Sequence, residues 1–335
     1  MQLIIPKDYD PKMDLFETQR AIKKVKDFFQ SELSRGLSLQ RVTAPLFVDP
    51  LTGLNDNLNG YERTVGFTVL DMNEAEAEVV QSLAKWKRMA LGRYGVKPGR
   101  GIYTDMNAIR RDEELDNVHS IYVDQWDWEK TIRKEDRTEE TLVRTVKAIY
   151  RVLKRLGAYV EDEYPFLESE LPEHLTFVTA QELEDRWPEK TPKEREDLIT
   201  KEAGAVFLKG IGGALASGAP HDGRAPDYDD WTLNGDILVW DELLGRALEL
   251  SSMGIRVDEE AMDRQLRLAG KDERRSLPFH KAILEGKLPY SIGGGIGQSR
   301  LCMYFLKRAH IGEVQVGLWP PEMIRECGGN NIFLL

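Results

Sequence analysis

Cysteine is almost missing from this 335-residue chain. The two that exist, Cys302 and Cys327, form no Cys-x-x-Cys pair, so neither a disulfide framework nor a thiolate zinc site is indicated, and a reducing compartment is expected. Positive charge is also short: 46 Lys and Arg stand against 57 Asp and Glu, a formal charge of -11. That balance excludes a surface built to track a nucleic-acid backbone or an anionic membrane, and it favours small-molecule substrates. No run of about 18 apolar residues occurs, and Met1 to Asp10 lacks the basic region, apolar run and cleavage site of a secretory leader. A cytoplasmic protein is expected. None of the 5 histidines has a partner at metal-ligand spacing, and no nucleophile motif supports covalent catalysis. Internal repeats, low-complexity tracts and linkers are absent too, so residues 1–335 read as a single domain.

What is present is patterned for an α+β fold. Ile22, Val25, Phe29 and Leu33 recur at helical spacing from Glu17 to Leu33, with Gly36 as the expected stop. Leu37 to Val48, with Pro45, reads as an edge strand or irregular extended segment, followed by a turn-rich loop from Asp49 to Gly60. Val79 to Tyr94 reads as a helix flanked by Lys85, Lys87 and Arg88. In the expected strand Ile121 to Trp128, a period of two puts Val123, Gln125 and Asp127 on one face and Tyr122, Asp124, Trp126 and Trp128 on the other. The longest helical stripe runs from Leu142 to Leu156 behind a capping Thr138, and capping boxes open helices at Thr179 and Thr191, the second closed by Gly204. Strands follow at Ala205 to Ile211, Gly235 to Asp241 and Arg246 to Val257, with helices from Asp258, Pro278 and Gln298. Their short connections favour an antiparallel sheet.

The sharpest local signal is Ile292-Gly293-Gly294-Gly295-Ile296-Gly297-Gln298-Ser299-Arg300. It matches neither a dinucleotide fingerprint nor a Walker A loop. Glycines at alternate strand positions, Gly295 and Gly297 among them, strip one face so that a flat base can lie against the backbone while Arg300 reaches its phosphates. A close-packed strand crossing with a surface arginine accounts for the same residues. Glu249 shares a face with Ser251 if the period of two holds, and Asp236 begins a neighbouring strand. Two such carboxylates suit a Mg2+ ion carried by ATP, whereas a solvated acidic face is the plain alternative. Arg110, Arg224 and Arg300 offer guanidinium groups for a polyphosphate. The dense run His221 to Trp231, including Arg224, Tyr228 and Asp229, reads as a functional loop.

Together these segments resemble ammonia-dependent asparagine synthetases, the aspartate–ammonia ligases related to class II aminoacyl-tRNA synthetase catalytic cores. The resemblance rests on Ser82 to Arg88, Tyr122 to Glu129, Arg224 to Trp231, Leu233 to Trp240, Glu249 to Arg256 and Ile292 to Arg300, and spans nearly the whole chain. It implies a seven- or eight-stranded antiparallel sheet flanked by helices, in a homodimer with the first helix near the interface. It further implies that L-aspartate and ATP form β-aspartyl-AMP and pyrophosphate, and that free ammonia then yields L-asparagine and AMP. Position by position, it puts Arg110 on the α-phosphate, Arg300 on the distal phosphates, and Asp236 and Glu249 on Mg2+ and nucleotide. Lys87, Gln125, Asp127, Asp229 and Arg256 surround aspartate, Ser82, Tyr228 and Ser251 complete its pocket, and Asp56 receives ammonium. Three departures stand out: Gln81 where histidine is expected, a short link from Trp231 to Leu233, and an altered Asp49 to Gly53. An aspartyl- or asparaginyl-tRNA synthetase and a non-catalytic synthetase-like sensor are the competing readings.

Overall fold

The computed structural model describes residues 3–58 and 60–335, so Met1, Gln2 and the Asn59 of the Asp56 loop lie outside the described residues. A long helix, α1 (Leu15–Leu37), leads into β1 (Leu39–Arg41). Next come β2 (Phe47–Val48), β3 (Gly66–Val69) and β4 (Ala75–Val79), then α2 (Ala84–Arg93), β5 (Gly101–Ile109), β6 (Tyr122–Thr131) and α3 (Glu139–Glu163). The second half holds β7 (Thr176–Thr179), α4 (Ala180–Arg186), α5 (Pro192–Ala203), β8 (Ala205–Lys209), β9 (Asp229–Asp241) and β10 (Arg246–Arg256). It ends with α6 (Glu259–Leu268), α7 (Pro278–Leu284), β11 (Ser291–Gly297), α8 (Gln298–Phe305) and α9 (Pro321–Gly328).

Eight strands form one sheet in the order β1-β5-β6-β11-β10-β9-β8-β7, and β2-β4-β3 make a small second sheet. The expected antiparallel sheet is there, but its two outermost pairings, β1 with β5 and β7 with β8, run parallel. One face of the large sheet carries the main core: Trp126 and Trp128 of β6, Ile237 of β9, Met253 of β10 and Ile296 of β11 pack with α1, α3 and α8. Phe29 of α1 sits 4.8 Å from the Trp126 ring. Burial of such side chains supplies roughly 1.5–3 kcal/mol each.

Several expected boundaries move, each for a visible reason. α1 runs through Gly36 because Leu37 still has a core to enter, and it stops at Ser38, whose φ of 62° and N–H to the Ser34 carbonyl form a left-handed cap. The helix expected from Val79 starts instead at Ala84; Val79 pairs with Phe47 in the small sheet, and Ala75 to Val79 alternate in burial as a strand does. Lys85, Lys87 and Arg88 are buried rather than flanking. β5, to which the sequence reading assigns nothing, pairs with β6 along its full length. β9 begins at Asp229, six residues before the expected start, so Asp229 and Asp230 belong to a strand and not to the loop before it. Their burial is tolerated because Arg256 and Arg137 pair with them. The caps at Thr138, Thr179 and Thr191 and the stop at Gly204 stand as read.

Candidate active site

The opposite face of the same strands is polar. On β6, Gln125, Asp127 and Glu129 alternate with the core tryptophans, and β11 runs beside them with Gly293, Gly295 and Gly297 on that side. A Cβ at Gly293 would lie 2.0 Å from Glu129 Oε2, and one at Gly295 would lie 2.3 Å from Gln125 Oε1. The glycines therefore do clear a face, as expected, but at Gly293 and Gly295 side chains from β6 fill it. The bare surface expected for a flat base is corrected at Gly295, which makes room for Gln125 and Asp127. At Gly297 the nearest atom is Cβ of Arg300, at 3.3 Å.

Into this face α2 sends Lys87, whose Nζ lies 3.0 Å from Asp127 Oδ1 and donates to the Gly294 carbonyl at 3.0 Å. Burial outweighs Asp127 and lowers the ammonium pKa of Lys87. Asp127 Oδ2 is buried with no hydrogen-bond partner among the described residues. Beside it Arg256 donates to both oxygens of Glu129, one at 2.8 Å, and to Asp229. Its guanidinium carbon lies 5.7 Å from the Tyr228 ring centre. Burial raises Asp229 against the opposing pull of Arg256, while Glu129, which also burial would raise, is held low by Arg256. Glu129 also accepts from Ser291 Oγ at 2.7 Å. Ser82 accepts the Ala84 N–H at 3.1 Å at the mouth of α2 and keeps its own hydroxyl hydrogen for another partner.

A second group of charges lies around Glu249. Burial pushes its carboxyl up, yet Arg300, Arg224, Lys193 and Arg110 together hold it below the ordinary value. Arg300 donates to the Glu249 carbonyl at 3.2 Å, with its guanidinium 3.9 Å from the carboxylate. Arg224 grips Asp236 Oδ2 and donates to the Gly223 carbonyl at 3.0 Å. Burial and Glu249 raise Asp236 to about 7 against Arg224, and its buried Oδ1 has no partner among the described residues. Asp236 lies in the middle of β9, not at its start.

Ser251 does not share the pocket face. A β-bulge between Glu249 and Ser251 shifts the register, so Ser251 pairs with Ile237 and Ile296 of the main core and donates to the Gly295 carbonyl at 3.0 Å. Ser252, which the sequence reading passes over, pairs with Asp236 and Gly295 on the pocket side.

Asp56 forms the third group. Burial raises its carboxyl, Lys85 and Arg110 oppose this, and Oδ1 accepts the Leu58 N–H at 2.9 Å. Under it, one oxygen of fully buried Asp227 collects Lys85 at 3.2 Å, Arg274 at 2.9 Å and His280 at 2.8 Å. Despite its burial, these partners hold Asp227 far below the usual carboxylate range. The Arg110 charge pulls down the carboxyls of both Asp56 and Glu249, and its Nε is buried without a partner among the described residues. Tyr228 feels the charges of Asp56, Asp229 and Arg224, one from each group. Sequence reasoning missed Glu129, though it sits two positions beyond Asp127 on the same face. Lys85, Asp227, Arg274 and His280 carried no local signal, because they meet only through the fold.

The aspartate–ammonia ligase family model matches residues 16–331. An aspartate–ammonia ligase of Clostridium tetani is 62% identical over 334 residues, covering 100% of this chain and 98% of its own length. That of Levilactobacillus brevis is 58% identical over 335 residues, with 100% of both chains covered. Among solved structures, an asparaginyl-tRNA synthetase from Pyrococcus horikoshii complexed with asparaginyl-adenylate aligns with a TM-score of 0.65 at 16% identity, over 91% of this chain and 70% of that one. An aspartyl-tRNA synthetase from Entamoeba histolytica gives 0.60 at 16% identity, over 91% of this chain and 59% of that one. Those likenesses show a class II synthetase fold, and the full-length relatives show more: the chain belongs to the aspartate–ammonia ligase family.

Proposed function

We propose that the enzyme makes L-asparagine from L-aspartate, ATP and ammonia in two steps at the site described. An oxygen of the aspartate β-carboxylate attacks the α-phosphorus of ATP. The P–O bond to pyrophosphate breaks and pyrophosphate leaves with the electron pair, giving β-aspartyl-AMP. Bound ammonium then gives one proton to Asp56, the nitrogen lone pair attacks the β-carbonyl carbon, and AMP leaves with the C–O electron pair. The second proton passes to solvent.

Each residue has a task. Asp127 and Asp229 take the substrate ammonium group, and Lys87 or Arg256 takes a carboxylate, with Gln125, Ser82 and Tyr228 fixing orientation. Arg110 neutralises charge at the α-phosphate, Arg300 and Arg224 at the distal phosphates. Asp236 and Glu249 fit a Mg2+ ion brought by the nucleotide, since Asp236 offers a buried oxygen with no hydrogen-bond partner among the described residues. When bound, that ion would supply positive charge against the phosphate oxygens. Asp56 suits proton removal because its burial favours the protonated form. The observation that carries this reading is that the Arg110 charge acts on the carboxyls of both Asp56 and Glu249, linking the proposed ammonia end of the site to the ATP end. We assign the enzyme to the cytoplasm as a homodimer; exposed Leu15 and Phe16 on α1 support pairing near that helix. Among the described residues no helix is long and apolar enough to cross a membrane.

Purified protein supplied with aspartate, ATP, Mg2+ and ammonium is expected to release AMP and asparagine without tRNA or glutamine. Release of ADP would rule out the adenylate. Asp56→Ala should keep aspartate-dependent pyrophosphate exchange better than asparagine synthesis, and equal loss of both would remove Asp56 from ammonia delivery.

A further inference from the structure

Gln81 is fully buried at the point where the small sheet hands the chain to α2. Its backbone N–H donates to Asn55 Oδ1 at 2.9 Å, and the same oxygen accepts the Asp56 N–H at 3.0 Å. Its side-chain Nε2 donates to the Asp56 carbonyl at 2.9 Å. Gln81 thus holds the Asp56 backbone through its side chain and shares Asn55 Oδ1 with it through its backbone. The other half of the amide is not used: Oε1 is buried and has no hydrogen-bond partner among the described residues. An unpaired buried amide oxygen costs about 1–3 kcal/mol, so its persistence on a side chain bonded to the Asp56 backbone calls for a ligand that donates.

We propose that Gln81 Oε1 and the Asp56 carboxylate together form the acceptor pair that binds ammonium, a deepening that rests on the role given to Asp56 above. Ammonium has four N–H donors and no acceptor, so a site selective for it presents acceptors and excludes competing donors. Gln81 fits this condition because its Nε2 is turned to the Asp56 carbonyl, which leaves Oε1 as the free acceptor. Lys85, held at 3.2 Å by Asp227, adds fixed positive charge near Asp56. That charge disfavours keeping the cation, while burial keeps the Asp56 carboxyl raised against Lys85 and able to take one proton. The nitrogen then keeps one N–H on Gln81 Oε1 while its lone pair is freed. The amide thereby fixes the direction from which the nucleophile approaches.

The test separates the acceptor from the clamp. Gln81→Leu removes both amide functions at similar volume, whereas Gln81→Glu removes the N–H donor and keeps an acceptor. Ammonium is varied in the synthesis assay with each variant and with Asp56→Asn, and aspartate-dependent pyrophosphate exchange is measured without ammonium. Gln81→Leu is expected to raise KM for ammonium about 10-fold or more, the size of one lost hydrogen bond to a charged donor, with exchange changed less than about 3-fold. Gln81→Glu should keep KM for ammonium within about 3-fold of the parent, an outcome that a merely structural clamp does not give. An unchanged ammonium KM in Gln81→Leu overturns the inference, as does equal loss of exchange and synthesis, or a Gln81→Glu defect matching that of Gln81→Leu. If Gln81→Leu does not fold, Gln81→Met, which also lacks the amide acceptor, takes its place with the same outcomes. A raised ammonium KM in Asp56→Asn with a normal one in Gln81→Leu removes only Gln81; normal values in both remove the Asp56 reading itself.

Discussion

The two faces of β6 differ more than any two separate regions of the molecule. On one, Trp126 and Trp128 are fully buried among apolar side chains from α1, α3 and α8. On the other, one residue away along the same backbone, Asp127 and Glu129 are as deeply buried, yet they meet Lys87 and Arg256. The apolar face is stabilised by area and packing, which tolerate modest change. The polar face is held by a few charge pairs whose desolvation is compensated only while every partner is present. One strand therefore gives rigidity on one side and unsatisfied binding capacity on the other.

The comparison is broken most severely at Arg256. Arg256→Ala leaves Glu129 and Asp229 buried without their shared cation, a loss of about 3–5 kcal/mol in unfolding free energy, and it removes one of the two cations proposed to take an aspartate carboxylate. Urea denaturation and asparagine synthesis should both fall. Arg256→Lys should rescue neither fully, because an ammonium cannot make the forked contact with Glu129. On the apolar face Trp126→Ala should cost about 3–5 kcal/mol through the cavity it leaves. Trp126 Nε1 has no partner among the described residues, so no hydrogen bond is lost. The folded variant, assayed well below its Tm, should therefore keep its KM values for aspartate and ATP. A large rise in either KM would show that the two faces are not independent.

The sequence itself displays this division where periodicity is regular. Alternation from Tyr122 to Trp128 separates the two faces of β6, and the alternate glycines before Arg300 mark the strand lying beside it. Periodicity misleads where the backbone departs from regularity: the bulge after Glu249 turns Ser251 into the core and brings Ser252 to the pocket, and no residue type there announces it. The stop placed at Gly36 fails for the opposite reason, because the next residue, Leu37, had apolar surface to bury and a serine could adopt the left-handed cap. Long-range electrostatics is less legible still. Asp227 gathers Lys85, Arg274 and His280 from distant parts of the chain, and nothing in their local sequence contexts links them. The roles of Asp56 and Asp229 came through family resemblance rather than pattern.

One carboxylate belongs to the apolar side and sharpens the contrast by breaking its rule. Glu313, just beyond α8, accepts from Tyr9 Oη at 2.9 Å and from the N–H groups of Ala309 at 2.9 Å and His310 at 3.1 Å. Arg308 is 3.7 Å away, too far to offset burial, which pushes the carboxyl up to about 7. The folded chain thus binds this proton more tightly than the unfolded chain, whose value is near 4.5. The resulting stabilisation is fully present below pH 4.5 and is lost as the pH rises through about 7. Glu313→Gln removes the titration while keeping an acceptor for Tyr9. The unfolding free energy of the parent minus that of the variant should therefore decline by about 1–3 kcal/mol across this window, as urea titrations at both ends would measure. Burial lowers His310 to about 4, giving the opposite trend, but that trend is common to both proteins and cancels in the difference. A flat difference would mean that Arg308 closes on Glu313 and that this carboxylate follows the paired-charge rule of the other face.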